Sequence, residues 1–127
     1  MPFTRIALRA GKPAAYRRAL TESVHRGLRE IFSVPEDDIF MTITEHDADN
    51  FFYGKHFLGV NRSDDLVMIQ ITVSNTRSID QKKALYQRIV DHLAESPGVR
   101  REDVFINLVD VMKENWSFGN GLAQYAE

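Results

Sequence analysis

Asp38-Ile39-Phe40 and Asp103-Val104-Phe105 each open a run in which apolar and polar residues alternate, and the two triplets lie 65 positions apart. Alternation with a period of two places every second side chain on the same face of an extended strand. A shift of the chain by 65 residues superposes Thr4, Ile6, Leu8, Ile39, Met41 and Ile43 on Ile69, Ile71, Val73, Val104, Ile106 and Leu108. The sequence therefore predicts four strands in two copies of one unit, with these twelve positions on a buried face.

An amphipathic helix is predicted between the two strands of each half. In the first half Pro13 suits the first helical turn, where the missing proline N–H costs nothing. In the second half Ser78 and Gln81 have the spacing of a capping box, and Pro97-Gly98 marks the end of the helix. The apolar stripes that follow helical spacing are Tyr16, Leu20, Val24, Leu28 and Ile31 in the first half, and Leu85, Tyr86, Ile89, Val90 and Leu93 in the second.

Each half is thus a strand–helix–strand unit, and the right-handed crossover expected for such units makes its two strands parallel. We predict a single α/β domain over residues 1–127, with a two-layer α+β architecture. Two β-α-β repeats, at about 2–46 and 66–112, form a four-stranded sheet with both helices on one face.

The opposite face of this sheet mixes polar residues with several large apolar ones. It carries Phe3, Arg5, Ala7, Phe40, Met68, Gln70, Thr72, Phe105 and Val109. A two-layer subunit would leave these apolar side chains in water, which favours a sheet face that associates with other copies of the chain. The alternative is a half-solvated sheet in a monomer.

The segment 46–65 interrupts the repeat and is rich in aromatic residues. It contains Phe51, Phe52, Tyr53, His56 and Phe57 among Gly54, Gly59 and Asn61. Aromatic residues in a connecting loop line a pocket or an interface, and the sequence leaves both alternatives open.

Composition excludes several classes of function. The net charge of −2 gives no sign of nucleic-acid or anionic-membrane binding. The absence of cysteine excludes disulfides, thiol chemistry and a cysteine zinc site. No signal peptide and no long apolar run are present, so we expect a soluble cytoplasmic protein.

No cofactor or metal is expected either. The chain has no phosphate loop, dinucleotide fingerprint or serine elbow, and its four histidines lack metal-ligand spacing. We expect His25 and His92 to be surface or flanking residues of the two helices.

Three features together carry a resemblance to a known family. They are Pro2 directly after Met1, the pair of strand–helix–strand halves, and the motif Glu114-Asn115-Trp116-Ser117-Phe118-Gly119. Together they resemble the tautomerase superfamily and, within it, the group of malonate semialdehyde decarboxylase. Val34 to Asp38, Arg62-Ser63 and Ser74 to Lys82 are also similar to that group, so the resemblance covers nearly the whole chain.

The resemblance implies that Met1 is removed and that the secondary amine of Pro2 is the reactive group. An α-amino group has an ordinary pKa of about 7.7–8.0, which burial and nearby charges move to either side of neutrality. When its pKa is lowered, the amine is a general base that moves a proton from the carbon next to a carbonyl. The alternative for Pro2 is a rigid strand start with no chemistry.

The resemblance also implies roles for five other residues. Asp38 matches the carboxylate that accompanies the proline, and Arg77 matches an arginine that binds the substrate carboxylate. Asn75 stands where the decarboxylase has a further arginine, which favours tautomerisation over decarboxylation. Trp116 and Phe118 match an apolar wall over the site. The alternatives are a turn residue for Asp38, a surface residue for Arg77, ordinary packing for the two aromatics, and a loop arginine or a pocket cation for Arg62.

The sequence thus favours a cofactor-independent tautomerase that acts on a small 2-oxo acid, for example phenylpyruvate, and forms a homotrimer as family members commonly do. One alternative is a hydratase or decarboxylase of a 3-oxo acid such as malonate semialdehyde. Another is a non-catalytic protein that keeps only the fold, which retention of Met1 would favour.

Overall fold

The computed structural model describes residues 1–126. Its strands are β1 (Phe3–Arg9), β2 (Met41–His46), β3 (Val67–Ser74) and β4 (Val104–Val111), and its helices are α1 (Ala14–Phe32) and α2 (Ile79–Glu95). Short 3-10 turns lie at Ala48–Asn50, Phe57–Gly59, Arg101–Asp103 and Lys113–Asn115. No helix in this described part of the chain combines the length and apolarity needed to cross a bilayer.

The four strands form one mixed sheet in the order β2-β1-β3-β4. β1 is parallel to β2 and β3 is parallel to β4, while β1 and β3 run antiparallel in the centre. The predicted α+β architecture with two β-α-β units is therefore confirmed.

The register of the central strands reveals a pseudo-twofold axis. Arg5 pairs directly with Gln70, its own equivalent 65 residues later. The outer neighbours of this pair, Thr42 and Asn107, are also equivalent residues and continue the same row across the sheet. The two halves thus face each other around an axis between β1 and β3.

The core lies between the sheet and the two helices. The helix stripes supply Leu20, Val24, Leu28, Leu85, Ile89 and Leu93, all fully buried, and the central strands supply Ile6, Leu8, Ile69, Ile71 and Val73. A Cβ at Gly27 would come within 2.9 Å of Ile89 Cγ1, so the glycine lets α1 approach α2 closely. The capping box of Ser78 and Gln81 is present.

Three expectations about local structure need correction. Pro13 is the N-cap of α1 and not its first helical residue. Ile39 precedes β2 and remains 51% exposed, because the chain is irregular after the turn at 36–37 and enters β2 only at Met41. His25 and His92 are buried: His25 contacts the Glu36 carbonyl, and His92 lies at the α1–α2 junction against Glu30.

The face of the sheet that carries no helix exposes large apolar side chains, as predicted. Phe40, Phe105 and Val109 are 53%, 48% and 36% exposed.

In the 46–65 segment Phe51 is buried, whereas Phe52, Phe57 and Leu58 are among the most exposed apolar residues described. Arg62 donates hydrogen bonds to the carbonyls of Gly54 and Phe57, so this arginine organises the loop.

Candidate active site

The sheet topology brings four chain segments together at one end. β1 begins there, and the segment before β2 is tied to it by the hydrogen bond from Thr4 N to Phe40 O (2.9 Å). Because β3 is antiparallel to β1, β3 and β4 both end there, linked by Asn75 N donating to Val111 O (2.9 Å). The site is therefore built from the start of the chain, two loops and the C-terminal segment.

Two cavities lie side by side at this end. The larger, about 520 Å³, is termed the arginine cavity and is lined by Met1, Phe32, Ser74, Thr76, Arg77, Gln81, Lys113 and Tyr125. The smaller, about 220 Å³, is termed the aromatic cavity and is lined by Pro2, Phe3, Phe40, Trp116, Ser117 and Phe118. The first two residues of the chain thus each line one cavity.

The N-terminal amine is held inside this site. The Met1 ammonium donates a hydrogen bond to the Asp38 carboxylate, whose side chain is only 15% exposed. Burial, followed by the charge of Arg77, lowers the pKa of the amine to about 6. Asp38 acts in the opposite direction, because its carboxylate favours the charged form of the amine. An amine with this pKa is largely unprotonated at neutral pH and can accept a proton.

Arg77 is a half-buried cation with spare donors. Its guanidinium donates to Phe32 O (2.8 Å) and Thr76 Oγ1 (2.7 Å) and lies 4.7 Å from the centre of the Phe32 ring. Burial lowers the pKa of Arg77. Within residues 1–126 no carboxylate oxygen lies within 4 Å of the Arg77 guanidinium, so Arg77 forms no ion pair there. A guanidinium has five N–H donors, so the remaining ones are available for an anion in the arginine cavity.

The C-terminal segment forms an aromatic wall. Trp116 Nε1 donates to Ser74 Oγ (3.1 Å), and the Trp116 ring stacks on Phe118 with 5.4 Å between centroids. Phe118 in turn makes an edge-on contact with Tyr125 at 4.8 Å. Gln124 closes the turn between them, since its side chain accepts from Phe118 N and donates to Gly119 O.

All six predicted site residues lie at this end of the sheet, and five of them line a cavity or bond the amine: Pro2, Asp38, Arg77, Trp116 and Phe118. Asn75 is exposed and lines neither cavity. In residues 1–126 no group of three or more histidine, aspartate or glutamate side chains could hold a metal ion.

Sequence reasoning missed Phe32, Ser74, Gln81, Lys113 and Tyr125 as residues of the site. Ser74 and Gln81 lie within the stretch that resembles the decarboxylase group, so a signal for them existed. Tyr125 had none, because only the fold-back of the C-terminal segment brings it to Arg77.

Comparisons with known proteins identify relatives of this chain. Two family models, both described as tautomerase enzymes, match residues 2–61 and 38–119. The probable tautomerase YusQ of Bacillus subtilis is 42% identical over the full length of both chains. Among solved structures, FG41 malonate semialdehyde decarboxylase inhibited by 3-bromopropiolate is 34% identical with a TM-score of 0.91, covering 97% of this chain and 93% of that one. A further malonate semialdehyde decarboxylase is 28% identical, also with a TM-score of 0.91, over 97% of this chain and 95% of that one.

Proposed function

This chain belongs to the tautomerase family of enzymes, and from that premise we propose that it is a cofactor-independent keto–enol isomerase of a small 2-oxo acid, with Pro2 as its base. The observation that carries the proposal is the position of the chain's amine: the Met1 amine bonds the Asp38 carboxylate, and the charge of Arg77 acts on it. Arg77, the anchor for an anion, lines the arginine cavity together with Met1, and Pro2 lines the neighbouring aromatic cavity.

Removal of Met1 is the first requirement of the proposal. In the unprocessed chain the nitrogen of Pro2 belongs to a peptide bond and has no basicity. After removal of Met1 the free amine is that of Pro2, a buried residue beside Trp116 and Phe118. The space that Met1 occupies in the arginine cavity becomes available to substrate. The related decarboxylase was also solved as a variant in which a proline at its first position is replaced by alanine.

The proposed reaction is a proton transfer between carbon and oxygen. Arg77 binds the substrate carboxylate through paired N–H donors, which places C3 of the 2-oxo acid at the Pro2 nitrogen. The amine takes a proton from C3, the C3–H electron pair forms the C2–C3 double bond, and the carbonyl oxygen becomes an enolate. Return of the proton to that oxygen gives the enol, and the reverse sequence gives the ketone. No other reactant is consumed.

Asp38 is proposed to hold and tune the amine. Its carboxylate, which accepts a hydrogen bond from the Met1 ammonium, is proposed to accept one from the protonated Pro2 amine and so to stabilise the state formed after proton abstraction. Trp116 and Phe118 are proposed to keep water away from the amine, which strengthens the electrostatic interactions within the site.

A second candidate function is decarboxylation or hydration of a 3-oxo acid, favoured by the likeness to the two decarboxylases. Asn75 is the residue that separates the alternatives, because an amide supplies no charge to hold a carboxylate. Introduction of the missing cation by Asn75→Arg is expected to raise decarboxylation of malonate semialdehyde and to lower tautomerisation. Decarboxylase activity in the unmodified protein that exceeds its tautomerase activity would favour this second function.

The working assembly is proposed to be a homotrimer. The uncovered sheet face, with Phe40, Phe105 and Val109 partly exposed, supplies apolar surface that association would bury.

The test of the proposed function is Pro2→Ala, assayed with phenylpyruvate enol and a panel of small oxo acids. Mass spectrometry first establishes that Met1 is absent from both proteins. Because a positioned general base contributes about 10²–10⁴-fold and alanine retains a weaker primary amine, we expect a loss of about 10- to 100-fold in kcat. Equal rates in the two proteins would overturn the mechanism.

A further inference from the structure

Asn120-Gly121 forms the tip of a tight turn in the C-terminal segment, next to the aromatic wall. Both residues have positive φ angles, 59° and 70°, and the turn is closed by Leu122 N donating to Gly119 O over 3.3 Å. Asparagine followed by glycine is the sequence that such turns favour, because both residues adopt the left-handed region at little cost. The same dipeptide, however, also carries a chemical reactivity.

The side-chain amide of Asn120 is exposed and is not held in place. Within residues 1–126 this amide makes no hydrogen bond, and the backbone N–H of Gly121 has no acceptor there. Glycine has no Cβ, so no side chain shields its nitrogen from the residue before it. Asn120 Cγ and Gly121 N are separated along the chain by the distance that closes a five-membered ring. The exposed turn thus leaves both reacting atoms free to meet.

The other asparagines of the chain lack this combination. Each of them precedes a residue that has a side chain. These following residues are Phe51, Arg62, Thr76, Leu108 and Trp116. Two of the other asparagines are also held by side-chain hydrogen bonds, since Asn50 donates to Asp47 (2.6 Å) and Asn107 accepts from Gln70 (3.1 Å). Ring closure is therefore easiest at position 120.

We propose that Asn120 is a modification site, at which the side chain loses ammonia and an isoaspartyl linkage forms as the protein ages. The Gly121 nitrogen gives up its proton and attacks Asn120 Cγ, the bond from Cγ to the amide nitrogen breaks, and ammonia leaves with that proton. Water then opens the cyclic imide at either of its carbonyl groups, which yields aspartate or isoaspartate. The net change is hydrolysis of one amide, so the formal charge of the chain goes from −2 to −3.

Isoaspartate changes the turn more than aspartate does. In aspartate the main chain keeps its length, and aspartate tolerates the left-handed region as asparagine does. In isoaspartate the main chain runs through the former side-chain atoms Cβ and Cγ, which inserts one extra carbon into the turn. The hydrogen bond from Leu122 N to Gly119 O then loses its geometry.

The turn is coupled to the aromatic wall through Gly119 O. This carbonyl accepts from Leu122 N and from the side chain of Gln124 (3.1 Å), and Gln124 also accepts from Phe118 N (3.0 Å). Phe118 in turn stacks on Trp116. Rearrangement of the turn therefore loosens the wall. The resulting effect on activity, which rests on the proposed function, is a gradual loss of rate.

The test is incubation of protein that lacks Met1 at mildly alkaline pH, in comparison with Asn120→Gly and Asn120→Asp. Glycine removes the amide and keeps the turn, because Gly-Gly also suits such turns. Aspartate supplies the charge without the extra carbon. Peptide mapping by mass spectrometry locates each new carboxyl group, and methyl transfer by an isoaspartyl methyltransferase counts isoaspartate. In the parent protein we expect the first new carboxyl group at position 120, and faster at higher pH, because the attacking nitrogen must lose its proton.

Activity measured on the same samples connects the modification with the wall. A misplacement of about 1 Å can cost about 10²-fold in rate, so we expect chains with isoaspartate to lose about tenfold or more in kcat/KM. Asn120→Asp is expected to begin close to the parent rate, and Asn120→Gly to keep its rate throughout the incubation.

Two sets of results would contradict this inference. A first carboxyl group at another asparagine, or none at any, would overturn the modification site. Isoaspartate at position 120 without loss of rate, or an equal loss in Asn120→Gly, would overturn its effect on the wall. If Pro2→Ala is fully active, the proposed function fails, whereas the mass spectrometry still decides the modification of Asn120.

Discussion

Asp38 and Asp103 occupy equivalent positions in the two halves, 65 residues apart, but they have different partners. Each donates its backbone N–H to the carbonyl three residues earlier, Pro35 or Arg100, just before an outer strand. Asp38 meets the amine of the chain, whereas Asp103 is fully buried and bonded to Ser63 N (2.7 Å), Ser63 Oγ (2.6 Å) and Arg100 (3.3 Å).

The reason for this difference is chain connectivity. At the Asp38 end the chain begins, so a charged amine can face the carboxylate. At the Asp103 end the chain continues from Ser63 into β3, so backbone and hydroxyl groups fill the same place. A symmetric fold thus yields one candidate site, at the end where the polypeptide starts.

This relationship predicts different effects for the same substitution at the two positions. Asp38→Asn removes a charge that favours the protonated amine, so we expect the amine pKa to fall, with little change in stability. Asp103→Asn weakens a buried network and is expected to cost about 1–3 kcal/mol in the free energy of unfolding. NMR titration of ¹⁵N-labelled Pro2 and urea unfolding measure the two quantities. A raised amine pKa in Asp38→Asn would contradict the proposed role of this carboxylate.

Arg77→Gln is expected to impair substrate binding and to raise the pKa of the amine, in contrast to Asp38→Asn. Loss of the guanidinium removes a charge-assisted contact to the carboxylate, so kcat/KM should fall by about 10- to 100-fold. Loss of the positive charge also raises the amine pKa, because Arg77 disfavours the ammonium form. Steady-state kinetics with a 2-oxo acid and with the corresponding uncharged ketone measure the first effect.

The matched control for Arg77→Gln is Arg101→Gln, since Arg101 pairs with Asp91 outside both cavities. A similar loss for the acid and the ketone, or a similar loss in the control, would speak against carboxylate binding by Arg77.

The pH dependence of the reaction follows from the lowered pKa of the amine. A base must be unprotonated to act, so kcat/KM is expected to rise with pH through the amine pKa and then level off. Burial and Arg77 lower the pKa of the Met1 amine to about 6, and we expect the Pro2 amine of the processed protein also to titrate below 8. The rise of kcat/KM should occur at higher pH in Arg77→Gln and at lower pH in Asp38→Asn. Profiles of kcat/KM recorded from pH 5 to 9 give the midpoint of this rise. A midpoint that is unchanged in both variants would exclude the amine as the titrating base.

The fold could be predicted because it depends on short-range patterns. The alternation at Thr4, Ile6 and Leu8, repeated 65 residues later, predicted two strands and the side of each that faces the core. All six positions are buried. Errors arose where tertiary contacts outweigh pattern. His25 and His92 are polar residues on amphipathic helices, yet helix packing and nearby acceptors bury both.

The candidate site could be predicted only in part. Pro2, Asp38 and Arg77 belong to local motifs that carry the family resemblance. Tyr125 and Lys113 reach the arginine cavity only because the segment after β4 folds back over it, a long-range arrangement without local periodicity.

Retention of Met1 is expected to abolish activity for two independent reasons. The Pro2 nitrogen remains an amide, and the methionine side chain lines the arginine cavity and contacts Tyr125, which reduces the space for substrate. Protein expressed without methionine aminopeptidase activity should therefore show a loss of about 10²-fold or more, because its free amine, that of Met1, lies one residue away from the place of the proposed base. Treatment of the same sample with aminopeptidase, followed by mass spectrometry, should restore the rate in proportion to the fraction of chains that begin at Pro2. Full activity of the unprocessed chain would contradict the proposed chemistry.

Charge on the uncovered sheet face is expected to prevent assembly. Phe105 lies on β4, is 48% exposed, and shares a shallow depression with Arg5 and Met68. Burial of an unpaired carboxylate in an apolar interface costs several kcal/mol, so Phe105→Asp should convert trimers to monomers. Gln87→Asp is the matched control, because Gln87 is exposed on α2, in the helical layer on the opposite side of the sheet. Analytical ultracentrifugation distinguishes the states, and an unmodified protein that sediments as a monomer would show that the uncovered face remains in solvent.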